Sequence, residues 1–257
     1  MRYLLVICAR SKSSRLPLKH FQKITSEMTA IEILYNRITK QCSDPGIQIC
    51  LATTTNFEDS IFQEKCGKDI SVFAGDPTNI PMRQLEAAKK YKADVIISID
   101  GDDVLTSPES INEVIKAFNC SDSPHQSVFY TSGLPLGMNV SLYSVNLLER
   151  VLKKKKYVKL ETGWGRIFQD ITKVEVELSQ EWRKHLEELR FTLDYPEDLV
   201  FFQSIGKHFG QNLLTASSAE IIGHVLRDHL HRLNQSVIEQ YWQNFDKEKR
   251  EEVSGER

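Results

Sequence analysis

The segment 94–99 constrains the fold more than any other. It reads Asp-Val-Ile-Ile-Ser-Ile, apolar at nearly every position, whereas a strand with one wet face alternates apolar and polar residues. Such a run is a strand covered on both faces, and helices must do the covering. The neighbouring sequence supplies them. Residues 3–8, 47–52 and 71–74 are further strand-like runs. Between them, residues 30–40 carry Ile31, Ile33, Leu34 and Ile38 near helical spacing, and 57–65 and 82–91 also read as helices. Asn56 is a candidate N-cap, and Pro108 in a first turn opens a helix to about residue 119. This alternation predicts an α/β fold, a three-layer α/β/α sandwich around a mostly parallel mixed sheet.

After residue 120 the order changes. Residues 127–131, 140–143 and 173–177 read as strands with long connections, and 145–156 as a helix whose four closing lysines suit a solvated helix end. Residues 189–193 read as a return to the sheet, followed by helices over 196–209, 217–230 and 236–249. The expectation is a single domain over residues 1–249, with a small inserted substrate or oligomer region around 130–185 and a frayed tail at 250–257.

A chain of 257 residues with 40% hydrophobic content can bury a substantial core. Its 33 basic and 35 acidic residues nearly cancel to a formal charge of −2. No global field therefore points to nucleic acid or to a membrane surface, and any anion must be bound locally. Cys8, Cys42, Cys50, Cys66 and Cys120 lack the paired short spacing of zinc or redox sites and read as reduced thiols, most of them in the core. The N-terminal apolar run is too short for a signal peptide, and no run approaches membrane-spanning length, so the expected location is the cytoplasm.

Ligands of open parallel sheets gather at the carboxyl ends of strands, and three segments stand there. Residues 10–19, Arg-Ser-Lys-Ser-Ser-Arg-Leu-Pro-Leu-Lys, follow the first strand with four cations and three hydroxyls. Guanidinium forks, ammonium charges and loop N–H groups suit a triphosphate. An exposed basic turn fits the residue types equally well, because no Gly-rich Walker pattern is present. The second segment, Asp100-Gly101-Asp102-Asp103, ends the most apolar strand. Asp and Gly form ordinary turns, yet three aspartates in four residues exceed what a turn needs, and Mg²⁺ takes one or two carboxylates beside substrate phosphates. In the third, Thr192-Leu193-Asp194-Tyr195-Pro196-Glu197-Asp198, Asp194 is placed to be a second metal ligand or a cap, while Glu197 and Asp198 fall in a first helical turn and favour its dipole.

These segments belong to a longer ordered set: Ala9-Arg10, Ser13, Arg15-Leu16-Pro17 and Lys19; Ala52-Thr53, Asn56 and Asp59; Gly75 and Arg83; Gly101-Asp102; and Asp194 with Pro196-Glu197-Asp198-Leu199. In that order, over nearly the whole chain, they resemble the cytidylyltransferases that make CMP-activated sugars. The likeness is to the spore-coat polysaccharide branch above all, with the CMP-Kdo and CMP-sialate synthetases as relatives. The resemblance implies a nucleotide-diphospho-sugar transferase-like, Rossmann-like fold. It implies that Ala9, Arg10, Ser13, Arg15, Lys19, Thr53 and Arg83 bind the nucleotide, that Asp102 and Asp194 hold Mg²⁺, and that Arg10, Lys19 and Asp102 are catalytic. CTP and a sugar acceptor are the implied partners, and a homodimer the implied assembly.

The chain departs from the pattern in places. Lys12 stands where the family has Gly, and Asp103-Val104 replaces Cys-Pro or Glu-Pro. Asn139 and Ser141 stand where two acids face the sugar, which makes them candidate substrate contacts and bears on the acceptor more than on the nucleotide. No dedicated general base stands out; a metal-lowered hydroxyl pKa, or an aspartate such as Asp100 or Asp103, could serve. His224, Asp228 and His231 share a helical face that could hold zinc, but an ordinary polar face is preferred. The turn Glu161-Thr162-Gly163-Trp164-Gly165-Arg166 could cover a sugar, with a packing plug or an oligomer contact as the alternative for its Trp, and Tyr241, Trp242 and Phe245 read as the apolar face of the last helix rather than a base-stacking platform. The leading reading is a Mg²⁺-dependent transfer of CMP from CTP to a sugar, in particular a sugar acid, with release of pyrophosphate. A related transferase with another nucleotide or a non-sugar acceptor, and a non-catalytic nucleotide-binding homologue, are the alternatives.

Overall fold

Strand β1 (Tyr3–Cys8) is buried along its whole length because its two faces meet different helices. The computed structural model describes residues 1–42, 46–154, 159–178 and 181–254. In these, β1 is joined by β2 (Gln48–Thr54), β3 (Val72–Gly75), β4 (Val95–Asp100), β5 (Ser127–Ser132), β6 (Ser141–Ser144) and β7 (Thr172–Glu177). The helices are α1 (Ala30–Gln41), α2 (Ile61–Lys65), α3 (Ile80–Lys90), α4 (Pro108–Asn119), α5 (Val145–Lys154), α6 (Pro196–Phe209), α7 (Ser218–Arg227) and α8 (Ile238–Ser254).

On one face Tyr3, Leu5 and Ile7 pack with Ile31, Leu34 and Ile38 of α1, Phe62 of α2 and Ile111, Val114 and Phe118 of α4. On the other, Leu4, Val6 and Cys8 pack with Leu85 and Ala88 of α3 and Leu147, Leu148 and Val151 of α5. Each fully buried aliphatic side chain contributes about 1.5–3 kcal/mol, so the two-sided burial of β1 is a large stabilising contribution to the sheet. The helices start where their sequences say. Thr29 and Glu32 form a capping box on α1, Asn79 caps α3 and Ser107 caps α4, the last two with proline in the first turn.

The sheet has the order β3-β2-β1-β4-β6-β5-β7. Within it β6 pairs antiparallel with both β4 and β5, while the other neighbours pair in parallel. This is the expected three-layer sandwich on a mostly parallel mixed sheet. A third core cluster joins α6 and α7, through Phe201, Phe202, Ile205, Ile221 and Val225, to Leu16, Val104 and Leu105 in the loops after β1 and β4. Those loops are thus held from behind.

Three expectations are corrected. Residues 189–193 do not re-enter the sheet; they run extended beside it, with one isolated bridge between Leu136 and Arg190, because their N–H groups bond to loop carbonyls. The tail does not fray at residue 250. Helix α8 continues to Ser254, since Glu252 is 4% exposed and its carboxylate accepts from the backbone N–H groups of Glu161 and Thr162. The segment 57–65 splits into a 3₁₀ turn, Phe57–Ser60, and α2, and the Asn56 side chain makes no cap bond. Of the lysine run, Lys153 and Lys154 close α5, and residues 155–156 lie outside the described residues, as do 255–257. No helix among the described residues is long and apolar enough to cross a membrane.

Candidate active site

The loop after β1 is fastened at both ends. At its start the Ser11 backbone N–H and hydroxyl both donate to Asp59 Oδ1 at 2.6 Å, and the Thr54 hydroxyl donates to Oδ2 of the same buried carboxylate. At its end His20 is buried against the Phe62 ring, with Nδ1 3.2 Å from the Gly101 carbonyl. Gly101 in turn donates its N–H to the Cys8 carbonyl at 2.7 Å. A Cβ there would lie 2.8 Å from the Ala9 Cβ, so only glycine lets the β1 and β4 ends approach this closely.

The segment that carries Asp194 is held by backbone contacts to the β5–β6 connection and to the loop after β4. Phe191 N–H donates to the Leu136 carbonyl at 2.8 Å, and Leu193 N–H donates to the Asp102 carbonyl at 2.9 Å. Gly137, at φ +91°, makes room for it, since a Cβ there would stand 2.3 Å from the Phe191 carbonyl oxygen. The result is that Asp102 and Asp194 converge. Lys19 Nζ donates to Asp102 Oδ2 at 2.5 Å and to Asp194 Oδ1 at 2.9 Å.

Three further cations of the cleft, Arg10, Arg15 and Arg83, are also tied to acids. Arg15 lies 3.6 Å from Asp194 and 3.5 Å from Glu248, with its guanidinium 5.2 Å from the centre of the Tyr195 ring. Arg10 and Arg83 share Glu161, at 3.1 and 2.8 Å. Arg83 is buried and also donates Nε to the Asp76 carbonyl at 2.9 Å, so it braces Glu161 from beneath while half-exposed Arg10 faces the cleft.

Burial and neighbouring charges set the protonation of the wall. Burial first, then the Asp102 charge, pushes the Asp100 carboxyl up to about 7, and the same two causes raise Asp103 well above the usual range. Burial also opposes ionisation of Asp194, but Lys19 and Arg190 outweigh it and hold that carboxyl well below the usual range. Burial, reinforced by Lys19, lowers His20 to about 4, and burial pushes the Cys8 thiol up to about 12, which rules it out as a nucleophile near neutral pH.

These groups line a cavity of about 660 Å³ at the carboxyl ends of β1 and β4. It brings together Ala9, Arg10, Arg15, Lys19, Arg83, Asp102, Ser141 and Asp194. Ser13 and Thr53 are not among its lining: Ser13 Oγ accepts the Leu16 N–H at 3.3 Å, and Thr53 is buried in β2. Asn139 lines a smaller cavity of about 220 Å³ next to it, beside Asp100, Asp103, Tyr130 and Ser141. Its amide donates to the Leu134 and Pro135 carbonyls at 2.9 and 3.2 Å.

Sequence reasoning named Glu161 only as part of the aromatic turn and missed its pairing with Arg10 and Arg83, and it missed Arg190 and the inner face of α8. Tyr241, Phe245 and Glu248 line the cavity, so two of the three aromatic residues read as a packing face are turned toward the site, while Trp242 is exposed. Trp164 lines it as well, which gives the Gly-Trp-Gly turn a place on the cleft wall. A signal existed for Glu161, an acid beside that unusual turn, but its partners Arg10 and Arg83 are remote in sequence. Among the described residues no group of three or more His, Cys, Asp or Glu side chains could hold a metal without other ligands. His224 instead stacks on His208, with ring centres 3.6 Å apart.

Comparison with known proteins agrees with this architecture. The family described as cytidylyltransferase matches residues 4–171. An uncharacterized protein of Methanocaldococcus jannaschii is 30% identical over 227 residues, covering 86% of this chain and 89% of the relative. The spore coat polysaccharide biosynthesis protein SpsF of Bacillus subtilis is 25% identical over 226 residues, covering 85% and 92%. A solved cytidylyltransferase of Leptospira borgpetersenii superposes with a TM-score of 0.75 at 20% identity, over 91% of this chain and 98% of that one, and so shares the fold. The chain belongs to the cytidylyltransferase family and is a nucleotidyltransferase.

Proposed function

We propose that this cytidylyltransferase-family protein joins CMP from CTP to a hydroxyl of a sugar, a sugar acid in particular, and releases pyrophosphate in a Mg²⁺-dependent reaction for surface glycan synthesis. One observation carries the reading: Arg10, Arg15 and Lys19 from a single loop meet Asp102 and Asp194 in one cleft. Asp102 and Asp194 are suited to Mg²⁺. Their oxygens already meet one ammonium at 2.5 and 2.9 Å, and Mg²⁺ takes one or two carboxylates beside phosphates. When bound it would supply positive charge to the phosphate oxygens and polarise the attacking hydroxyl.

The chain's own residues do the rest. Arg10, Arg15 and Lys19 neutralise the triphosphate and the departing pyrophosphate, in a cleft where fixed charges act more strongly than in water. Asp100, on the cleft wall and raised only to about 7, takes the proton of the attacking hydroxyl. Trp164, Phe168, Tyr241 and Phe245 narrow the cavity, exclude water and offer flat apolar faces to a sugar ring. Lys173 on β7 lines the same cavity and is the cation we assign to a sugar carboxylate. The name of SpsF supports an acceptor drawn from polysaccharide synthesis. The proposal includes a cytoplasmic location and pairing with a second copy, which sedimentation would read.

The test is pyrophosphate release with each of the four NTPs, Mg²⁺ and a panel of sugar acids and neutral sugars. CTP with a sugar acid should turn over. If CTP neither binds nor turns over, the reading is wrong. Asp102→Ala should fold normally and lose several kcal/mol of transition-state stabilisation, more than about a hundredfold in rate; an unchanged rate would remove Asp102 from the metal site.

A further inference from the structure

The Asp194 carboxylate has two oxygens with different surroundings. Oδ1 receives Lys19 Nζ at 2.9 Å and faces Arg15 at 3.6 Å, on the cleft side. Oδ2 receives Arg190 Nη2 at 2.7 Å and the Thr192 hydroxyl at 2.9 Å. Arg190 is 1% exposed and has no place in the chemistry described above.

Its own position is set from three sides. Asp198 accepts Arg190 Nε at 3.1 Å and Nη2 at 3.2 Å. Asn234 donates to the Arg190 carbonyl at 3.1 Å and to Asp198 Oδ1 at 2.9 Å. The guanidinium lies 4.0 Å from the centre of the Tyr241 ring on α8. Asp198 Oδ2 also accepts the backbone N–H groups of Asp194 and Tyr195, at 2.9 and 3.0 Å. One buried carboxylate thus fixes both the main chain of Asp194 and the guanidinium that holds its side chain.

We propose that Arg190, fixed by Asp198 and Tyr241, is a positioning residue for the reaction: with Thr192 it occupies Asp194 Oδ2 and turns Oδ1 toward the cleft. A carboxylate without this clamp can rotate and offer either oxygen, or both, to a cation. A forked guanidinium can bond Asp194 and Asp198 together, whereas the single ammonium of a lysine cannot hold the same geometry. Arg190 touches neither nucleotide nor acceptor in this account and acts through Asp194. The inference rests on the reading of Asp194 as a metal ligand.

The experiment uses Arg190→Lys, Arg190→Gln and Thr192→Val in the full chain. Folding is checked by circular dichroism, Mn²⁺ affinity is measured by electron paramagnetic resonance in the presence of CTP, and kcat and KM for CTP follow from pyrophosphate release. Loss of a group that orients a metal ligand costs about tenfold to a hundredfold in metal affinity or activity. Thr192→Val removes one of the two bonds to Oδ2 and keeps the side-chain shape, so it should fold. It should weaken Mn²⁺ and lower kcat about tenfold, with KM for CTP little changed. Arg190→Lys should fall further and Arg190→Gln furthest.

Folded Thr192→Val with wild-type Mn²⁺ affinity and kcat would overturn the proposal, whether or not the Arg190 variants fold. A wild type that binds Mn²⁺ but turns over no acceptor would defeat the assigned reaction alone, and the metal affinities would still decide for or against Arg190. A wild type that binds no Mn²⁺ with CTP would overturn both.

Discussion

At the scale of single residues, the cleft is an arrangement of charges that neutralise one another before any substrate arrives. Lys19 bridges Asp102 and Asp194, and Glu161 bridges Arg10 and Arg83. His20, next to Lys19, shows what such crowding does to a neighbour. Burial, followed by the Lys19 charge, lowers its pKa from 6.5 to about 4, against weaker opposition from Asp102 and the Gly101 carbonyl. Its ring is therefore neutral in the folded chain across a range where the unfolded chain takes up a proton. Stability from this group is fully present above pH 6.5 and is lost as pH falls toward about 4. A shift of this size corresponds to about 3 kcal/mol. Urea unfolding at about pH 7 and about pH 4.5 should show His20→Gln losing about 2–3 kcal/mol less than the wild type over that interval. Equal losses in the two proteins would mean that His20 does not titrate as its surroundings require. Neither its burial nor its role as the end-fastener of the loop is visible in the sequence, where His20 is one polar residue in a basic stretch.

At the scale of elements, α8 closes the site although it stands last in the chain. Tyr241, Phe245 and Glu248 line the cavity, and Glu252 anchors the far end. The Glu252 carboxylate accepts from Glu161 and Thr162 N–H groups at 3.3 and 3.1 Å and pairs with Arg166 at 3.3 Å. Glu252→Ala leaves these donors buried without that acceptor, at a cost of about 3 kcal/mol. The cost should appear locally. Hydrogen exchange over 245–254 and 161–166 should speed up, while amides of β1, β2 and β4 keep their protection. Exchange that accelerates equally throughout would show that α8 is part of one cooperative unit with the sheet. Glu252→Gln keeps an acceptor oxygen and should lie between the two. A tail of Glu, Lys and Arg reads as solvated because its composition is that of an exposed helix end; Glu252, the buried acid among its described residues, is identified only by its partners, about ninety residues earlier in the chain.

For the whole molecule, what was legible follows the range of the interactions. Strands β1, β2 and β4 announce themselves because burial on both faces writes a mostly apolar run into each. The place of β6 between β4 and β5, and the departure of 189–193 from the sheet, depend on pairings between distant segments, which local pattern does not encode. The same division holds for the site. Arg10, Arg15, Lys19 and Asp102 sit in motifs directly after strands, whereas Glu161 and Tyr241 acquire their roles from partners far away in the chain, and Arg190 acts through Asp194 and Asp198 at a spacing that no local motif marks. A sheet built this way should open as one body, and its cysteines can report on that. Cys120 is exposed, while Cys50 is fully buried in β2, between β3 and β1, and burial pushes its thiol up to about 11. No fluctuation of a loop uncovers it, because α3 covers that face and both neighbouring strands are paired to β2. Thiol labelling at mild alkaline pH should therefore modify Cys120 at once and Cys50 at least about a thousandfold more slowly, at a rate set by global unfolding. Urea should raise the Cys50 rate with the same slope as the equilibrium transition. Cys50 labelling as fast as Cys120 in native buffer would mean that β2 separates from the sheet on its own, against the two-sided burial from which the fold was read.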